Sequence, residues 1–124
     1  MVAKVMDIST TIKMLSSDQQ PIRHAALLFL LELSRSQSLC EKIGSAAGGI
    51  LMLITIKYNW SFDAFALEKA DEILKNLERS PNNIKRMADN GYLEPLLHHL
   101  IEGNSQNLYT LHNHGITSNF FEHL

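Results

Sequence analysis

Ile22, Ala26, Phe29, Leu30 and Leu33 are spaced 4, 3, 1 and 3 residues apart, which places them on one face of an α-helix. Leu27, Leu28 and Leu31 fill the opposite side, so this helix is apolar nearly all round and needs neighbours on several sides. Its start is expected near Asp18, whose carboxylate would cap the first free N–H groups, with Pro21 in the opening turn where a missing N–H costs little. At an offset of 44 residues, Ala66, Ala70, Ile73, Leu74 and Leu77 repeat the spacing. There the opposite side is polar, with Asp71, Glu72 and Lys75 standing where Leu27, Leu28 and Leu31 stood. One shared face at a fixed offset predicts an internal repeat.

The segments between these helices carry the same period. Ser80-Pro81 reads as an N-cap followed by proline at the first helical position, opening a short helix that buries Ile84, Met87 and Ala88 and stops at Asn90-Gly91. Leu93, Leu96, Leu97 and Leu100 then continue at helical spacing to Gly103. In the earlier unit Leu39 and Ile43 belong to the short helix, Gly48-Gly49 mark the turn, and Ile50, Leu53 and Ile54 match Leu93, Leu96 and Leu97. Ile8, Ile12 and Leu15 fit the same second-helix slot. The β-branched run Ile50–Ile56 could instead be a buried strand, but no partner strand is evident, and the repeat predicts a helix.

The expected fold is all-α, with about two and a half three-helix units: a partial unit over 4–17, units over 18–59 and 60–103, and an atypical tail over 104–124. A glycine ahead of the second helix and an A-x-x-(F/I)-L-x-x-L stripe in the third resemble the armadillo repeat, an α-solenoid. The stretches LLFLLELSRSQSLCEKIGSAAGGILMLITIK and DEILKNLERSPNNIKRMADNGYLEPLLHHL further resemble the armadillo portion of plant U-box E3 ubiquitin ligases. In that family a U-box recruits the ubiquitin-charged E2 and the armadillo array binds substrates or regulators. No U-box is seen in this chain, so the resemblance implies the recognition part of a ligase or a truncated form of one. It implies no ubiquitin transfer by this chain alone. An armadillo adaptor without a ubiquitin role is the alternative.

The resemblance also implies a site. Third helices of such arrays line a concave groove that holds extended peptides, and an Asn late in that helix bonds the peptide backbone. Asn76 matches that Asn, whereas Glu32 occupies the equivalent place in the earlier unit; a carboxylate accepts hydrogen bonds but donates none. The family's aromatic one turn earlier is replaced by Leu28 and Glu72. The implied groove set is His24, Leu28, Glu32, Glu68, Glu72, Asn76 and Arg79. The carboxylates Glu32, Glu68 and Glu72 would favour a protein or extended peptide partner with basic residues.

Composition removes other classes. With 13 acidic against 11 basic residues the formal charge is −2, so there is no basic surplus for nucleic acid. The longest nearly uncharged apolar stretch, 46–56, is far short of the ~20 residues of a membrane span. A lone Cys40 cannot close an intramolecular disulfide, which points to an intracellular, cytoplasmic setting, and as a thiol it is expected to be structural. No cofactor motif and no catalytic constellation appears. His98 and His99 are adjacent on a helix and diverge by about 100°. His112, His114 and His123, with only Glu122 near, make a weak metal set. Trp60, Phe62 and Phe65 are expected to pack between repeats. From Gly103 to Leu124 the sole formally charged side chain is Glu122, so the tail reads either as a cap or as non-homologous sequence. Units cut inside a repeat at both ends predict marginal stability or self-association through uncapped ends.

Overall fold

A computed structural model describes residues 7–101, and all of its regular elements are helices. They are α1 (Ile8–Met14), α2 (Gln20–Leu33), α3 (Gln37–Ser45), α4 (Gly49–Asn59), α5 (Ala64–Leu77), α6 (Pro81–Asp89) and α7 (Glu94–Ile101). The tail 104–124, with His112, His114, Glu122 and His123, lies outside the described residues.

The stripe read from the sequence is the stripe that is buried. Ala66, Ala70, Ile73, Leu74 and Leu77 of α5 are all 0% exposed, and Ala26, Leu27, Leu30 and Leu31 of α2 join the same core. Each such leucine removed from water contributes about 2 kcal/mol. α2 and α5 lie side by side and run in the same direction. His24, early in α2, reaches Asp63 just before α5, and Ser34, just after α2, bonds Asn76 near the end of α5.

The run 50–56 is helical, as the repeat requires. Gly48 adopts φ +75° at the N-cap of α4, the chain turns by 87° between α3 and α4, and Ile50, Leu53 and Ile56 face the core. Packing at helical spacing overrides the local β preference.

Two capping expectations are corrected. Asp18 does not cap α2: Gln19 holds the N-cap position without a side-chain bond, and Asp18 is exposed. The preceding turn is closed instead by Ser17 Oγ, which accepts from the Gln19 N–H at 3.1 Å. Ser80 does stand at the N-cap of α6, but its hydroxyl makes no cap bond and donates across to Glu41 of α3. A charged acceptor from the earlier unit outcompetes the local amide.

At the other end of α6 the glycine signal holds. Gly91 adopts φ +83°, its N–H donates to Ala88 O at 2.9 Å, and Tyr92 N–H donates to Met87 O at 2.8 Å. This is the paired bonding of a Schellman cap, which needs the left-handed conformation at that residue. A Cβ at Gly91 would meet nothing within 4 Å, so Gly91→Ala is a purely conformational change. We expect it to lower stability by about 1 kcal/mol in urea unfolding; an unchanged midpoint would disprove the assignment.

A small second cluster of Ile84, Ala88 and Leu96, with Leu93 and Leu97 against it, packs α6 on α7. Buried Asn83 ties the units together: its Nδ2 donates to Cys40 O at 3.0 Å and Leu77 O at 3.1 Å, and its Oδ1 accepts from Arg86 at 2.9 Å.

Candidate functional site

Residues 24, 28 and 32 are four apart on α2, and 68, 72 and 76 are four apart on α5, so each set forms a row along one face of its helix. Because the two helices are parallel neighbours, the rows flank the surface between them. Toward its C-terminal end this surface holds an open cleft of about 300 Å³ lined by Leu31, Arg35, Glu72, Lys75 and Asn76. The structure therefore brings Glu72 and Asn76 together and adds Arg35 and Lys75, which the sequence reading did not include.

The rows divide into outward-facing and internally committed members. Leu28 is 47% exposed, and the Glu32 and Glu68 side chains are 71% and 68% exposed. Each carboxylate has a cation beside it: Arg35 lies 3.5 Å from Glu32, and Lys69 lies 3.8 Å from Glu68 and 3.6 Å from Glu72. These are pairs between residues at most three apart in the chain, so the acidity read from the sequence is compensated locally. Asn76 is half-buried, and its Nδ2 donates to Ser34 Oγ at 2.9 Å.

His24 and Arg79 serve the scaffold. Arg79 reaches back to Ser34 O and Asn76 O, with Cys40 Sγ 3.6 Å away. Cys40 is itself fully buried and donates to Ser34 O at 2.9 Å, a structural thiol. His24 Nε2 lies 3.0 Å and 2.9 Å from the two oxygens of Asp63, and its ring stacks 4.4 Å from Phe65.

Asp63 is the residue the sequence reading missed. It is 3% exposed, its Oδ1 accepts from Ala66 N–H at 3.1 Å as the N-cap of α5, and Arg23 approaches at 3.4 Å. Burial alone would raise its carboxyl pKa, but His24, the Ala66 amide and Arg23 outweigh that and hold it below the ordinary value. An aspartate directly before an apolar helical stripe is an N-cap signal, so the position was legible; its partners, about 40 residues earlier, were not. At the far side of α5, Lys57 bonds Asp71 at 2.9 Å and Tyr92 Oη at 2.7 Å, and Lys75 bonds Asp71 at 3.2 Å.

The aromatic expectation is corrected in part. Trp60 is half-buried with Arg23 5.2 Å over its ring, but Phe62 is 73% exposed and Phe65 is 37% exposed. Phe62 stands in the α4–α5 loop, its ring centre 5.7 Å from that of Trp60. Among the described residues there is no group of three metal-ligating side chains, and no single helix is long and apolar enough to cross a membrane.

No family model matches the chain, and no solved structure matches it. Curated relatives do. The chain is 58% identical over 106 residues to a protein named Putative U-box domain-containing protein 42 from Arabidopsis thaliana, covering 86% of this chain and 10% of that protein. It is 45% identical over 105 residues to U-box domain-containing protein 43 from Arabidopsis thaliana, covering 85% and 13%. It is 44% identical over 96 residues to U-box domain-containing protein 24 from Oryza sativa subsp. japonica, covering 77% and 12%. The chain thus spans about a tenth of the length of these relatives.

Proposed function

We propose that this chain, whose homologues are plant U-box domain-containing proteins, is the partner-recognition part of a U-box ubiquitin ligase, built as an armadillo-type array. Its groove between α2 and α5 holds an extended segment of a substrate or regulator, and the transfer of ubiquitin falls to another part of the ligase. What supports this reading is the open cleft between the parallel α2 and α5, lined by Leu31, Arg35, Glu72, Lys75 and Asn76, in a chain related to U-box proteins.

The chemistry of the groove is mixed. Leu28 and Phe65 offer apolar contact area, Asn76 offers an amide suited to backbone groups, and Glu32, Glu68 and Glu72 offer acceptors whose neighbouring lysine and arginine can turn to solvent when a partner cation takes their place. Such a surface favours a segment that combines basic and apolar side chains.

An array of random twelve-residue peptides tests this. We expect the parent chain to retain a subset enriched in Lys and Arg, and Glu32→Lys with Glu72→Lys to weaken that subset by at least fivefold, or about 1 kcal/mol. Both side chains are exposed enough for the double variant to keep the parent melting temperature. Equal retention by parent and variant would remove the groove from the reading.

A further inference from the structure

The Ser80-Pro81 pair opens α6, yet the Ser80 hydroxyl makes no cap bond there. It donates instead to the carboxylate of Glu41 on α3, in the earlier unit. The same carboxylate takes Arg86 at 2.9 Å and Asn82 at 3.3 Å. Three groups of the later unit thus converge on a single side chain of α3. Beside them lies an open cleft of about 430 Å³ lined by Gln37, Glu41, Ser80, Pro81 and Asn82. None of these residues lines the α2–α5 cleft.

Ser80 is also the sole hydroxyl residue of the chain that precedes a proline, since Pro21 follows Gln20 and Pro95 follows Glu94. Proline holds the residue before it extended, and Ser80 has φ −98° and ψ 120°. An extended serine followed by proline is the acceptor shape that proline-directed protein kinases read. The residue as a whole is 7% exposed, but its hydroxyl is held by the Glu41 side chain, which is itself 40% exposed and has the cleft to turn into.

We propose that Ser80 is a phosphorylation site, taking the γ-phosphoryl group of ATP from a proline-directed kinase, and that Glu41 both guards the hydroxyl and is displaced by the phosphoryl group. In the transfer Ser80 Oγ bonds to the γ-phosphorus as the bond to the β–γ bridging oxygen breaks. The hydroxyl proton passes to the kinase's catalytic base and ADP leaves. The product carries a charge of about −1.5 to −2 on three acceptor oxygens. The Ser80 hydrogen bond, then Arg86 and Asn82, outweigh burial and hold the Glu41 carboxyl below its ordinary value, so it is an anion at neutral pH. Two anions do not share this cluster, and Glu41 turns out. Arg86 and Asn82, which reach the same carboxylate, pass to the phosphoryl group at the N-terminus of α6. Donors that joined two units then serve within one, and α3 loses all three of its ties to the cluster. The Asn83–Cys40 bond at 3.0 Å remains, so the units loosen at α3 without separating.

The test treats the full folded chain with a purified proline-directed kinase and ATP and locates phosphate by mass spectrometry. A free peptide of residues 75–86 serves as the control for kinase activity. We expect one phosphoryl group on the chain, at Ser80, absent from Ser80→Ala. Pro81→Ala keeps the hydroxyl at a helix start that tolerates alanine and should slow incorporation at least tenfold. Glu41→Ala should speed it at least threefold by removing the guard. In the parent, phosphorylation should raise amide exchange in α3 at least threefold. In Glu41→Ala, whose ties are already gone, it should leave α3 unchanged, and in Glu41→Gln, which keeps the side chain without its charge, the rise should be smaller than in the parent. Phosphate on the peptide but not on Ser80 of the folded chain overturns the site. Incorporation no faster in Glu41→Ala, or α3 exchange that phosphorylation does not change in the parent, overturns the role of Glu41.

Discussion

Gly44→Ala should lower the stability of this chain by about 3 kcal/mol, enough to shift the melting temperature by more than 10 °C or to abolish a cooperative transition. The cause is steric. A Cβ at Gly44 would lie 1.6 Å from Asn83 Oδ1 and 2.4 Å from its Cγ. The far end of a flexible side chain could move aside cheaply, but Asn83 cannot. It is 0% exposed and holds the Cys40 and Leu77 carbonyls and the Arg86 guanidinium, so displacing it breaks all three bonds and strips a buried amide of its partners. α3 and α6 would separate there, since Gly44 is what allows the helices to approach. A double-mutant cycle checks the mechanism. Asn83→Ala should be strongly destabilising alone, yet adding Gly44→Ala to it should cost much less than Gly44→Ala does in the parent. Strict additivity would show that the clash is not the cause.

The second large effect is expected at Asp63. Asp63→Ala should cost about 3 kcal/mol by chemical denaturation: the N-cap of α5 is lost, and Arg23 and His24 lose their shared acceptor in a partly buried setting. Asp63→Asn keeps a capping oxygen and should cost less. The effect is also pH-dependent, with a definite sign. The folded carboxyl titrates below its ordinary value of 3.8, so the unfolded chain takes up the proton more readily. Asp63's contribution is therefore complete at neutral pH and is lost as pH falls from about 5 through the ordinary value toward the folded one. Measured against pH, the stability gap between parent and Asp63→Ala should narrow as pH falls below about 5. A gap that widened on acidification below about pH 5 would refute the pairing.

Both residues join helices from different units, and this marks where sequence reading stops. The stripes at 22–33 and 66–77 were legible because burial along a helix leaves a period that survives without coordinates. The turn at Gly48 and the cap at Gly91 were legible because a left-handed residue favours glycine. Asp18 and Ser80 misled because capping propensity treats each helix end alone. Asp18 is displaced by the Ser17 turn, and the Ser80 hydroxyl is taken by Glu41 from 39 residues earlier. Phe62 misled because aromatic residues are usually buried, yet here the chain needs loop length between α4 and α5 and leaves the ring in solvent. Within the groove, Glu32, Glu68 and Glu72 were legible as carboxylates, but their compensation by Arg35 and Lys69 depends on rotamers.

The sequence by itself determined that the chain is helical, that its helices recur every 42 to 44 residues, and which side of each faces the core, because periodic burial is written residue by residue. Only the tertiary structure decided which polar groups are committed inward. His24, Ser34, Asp63, Asn83 and Arg79 find partners that are 39 to 45 residues away, at distances no local pattern encodes.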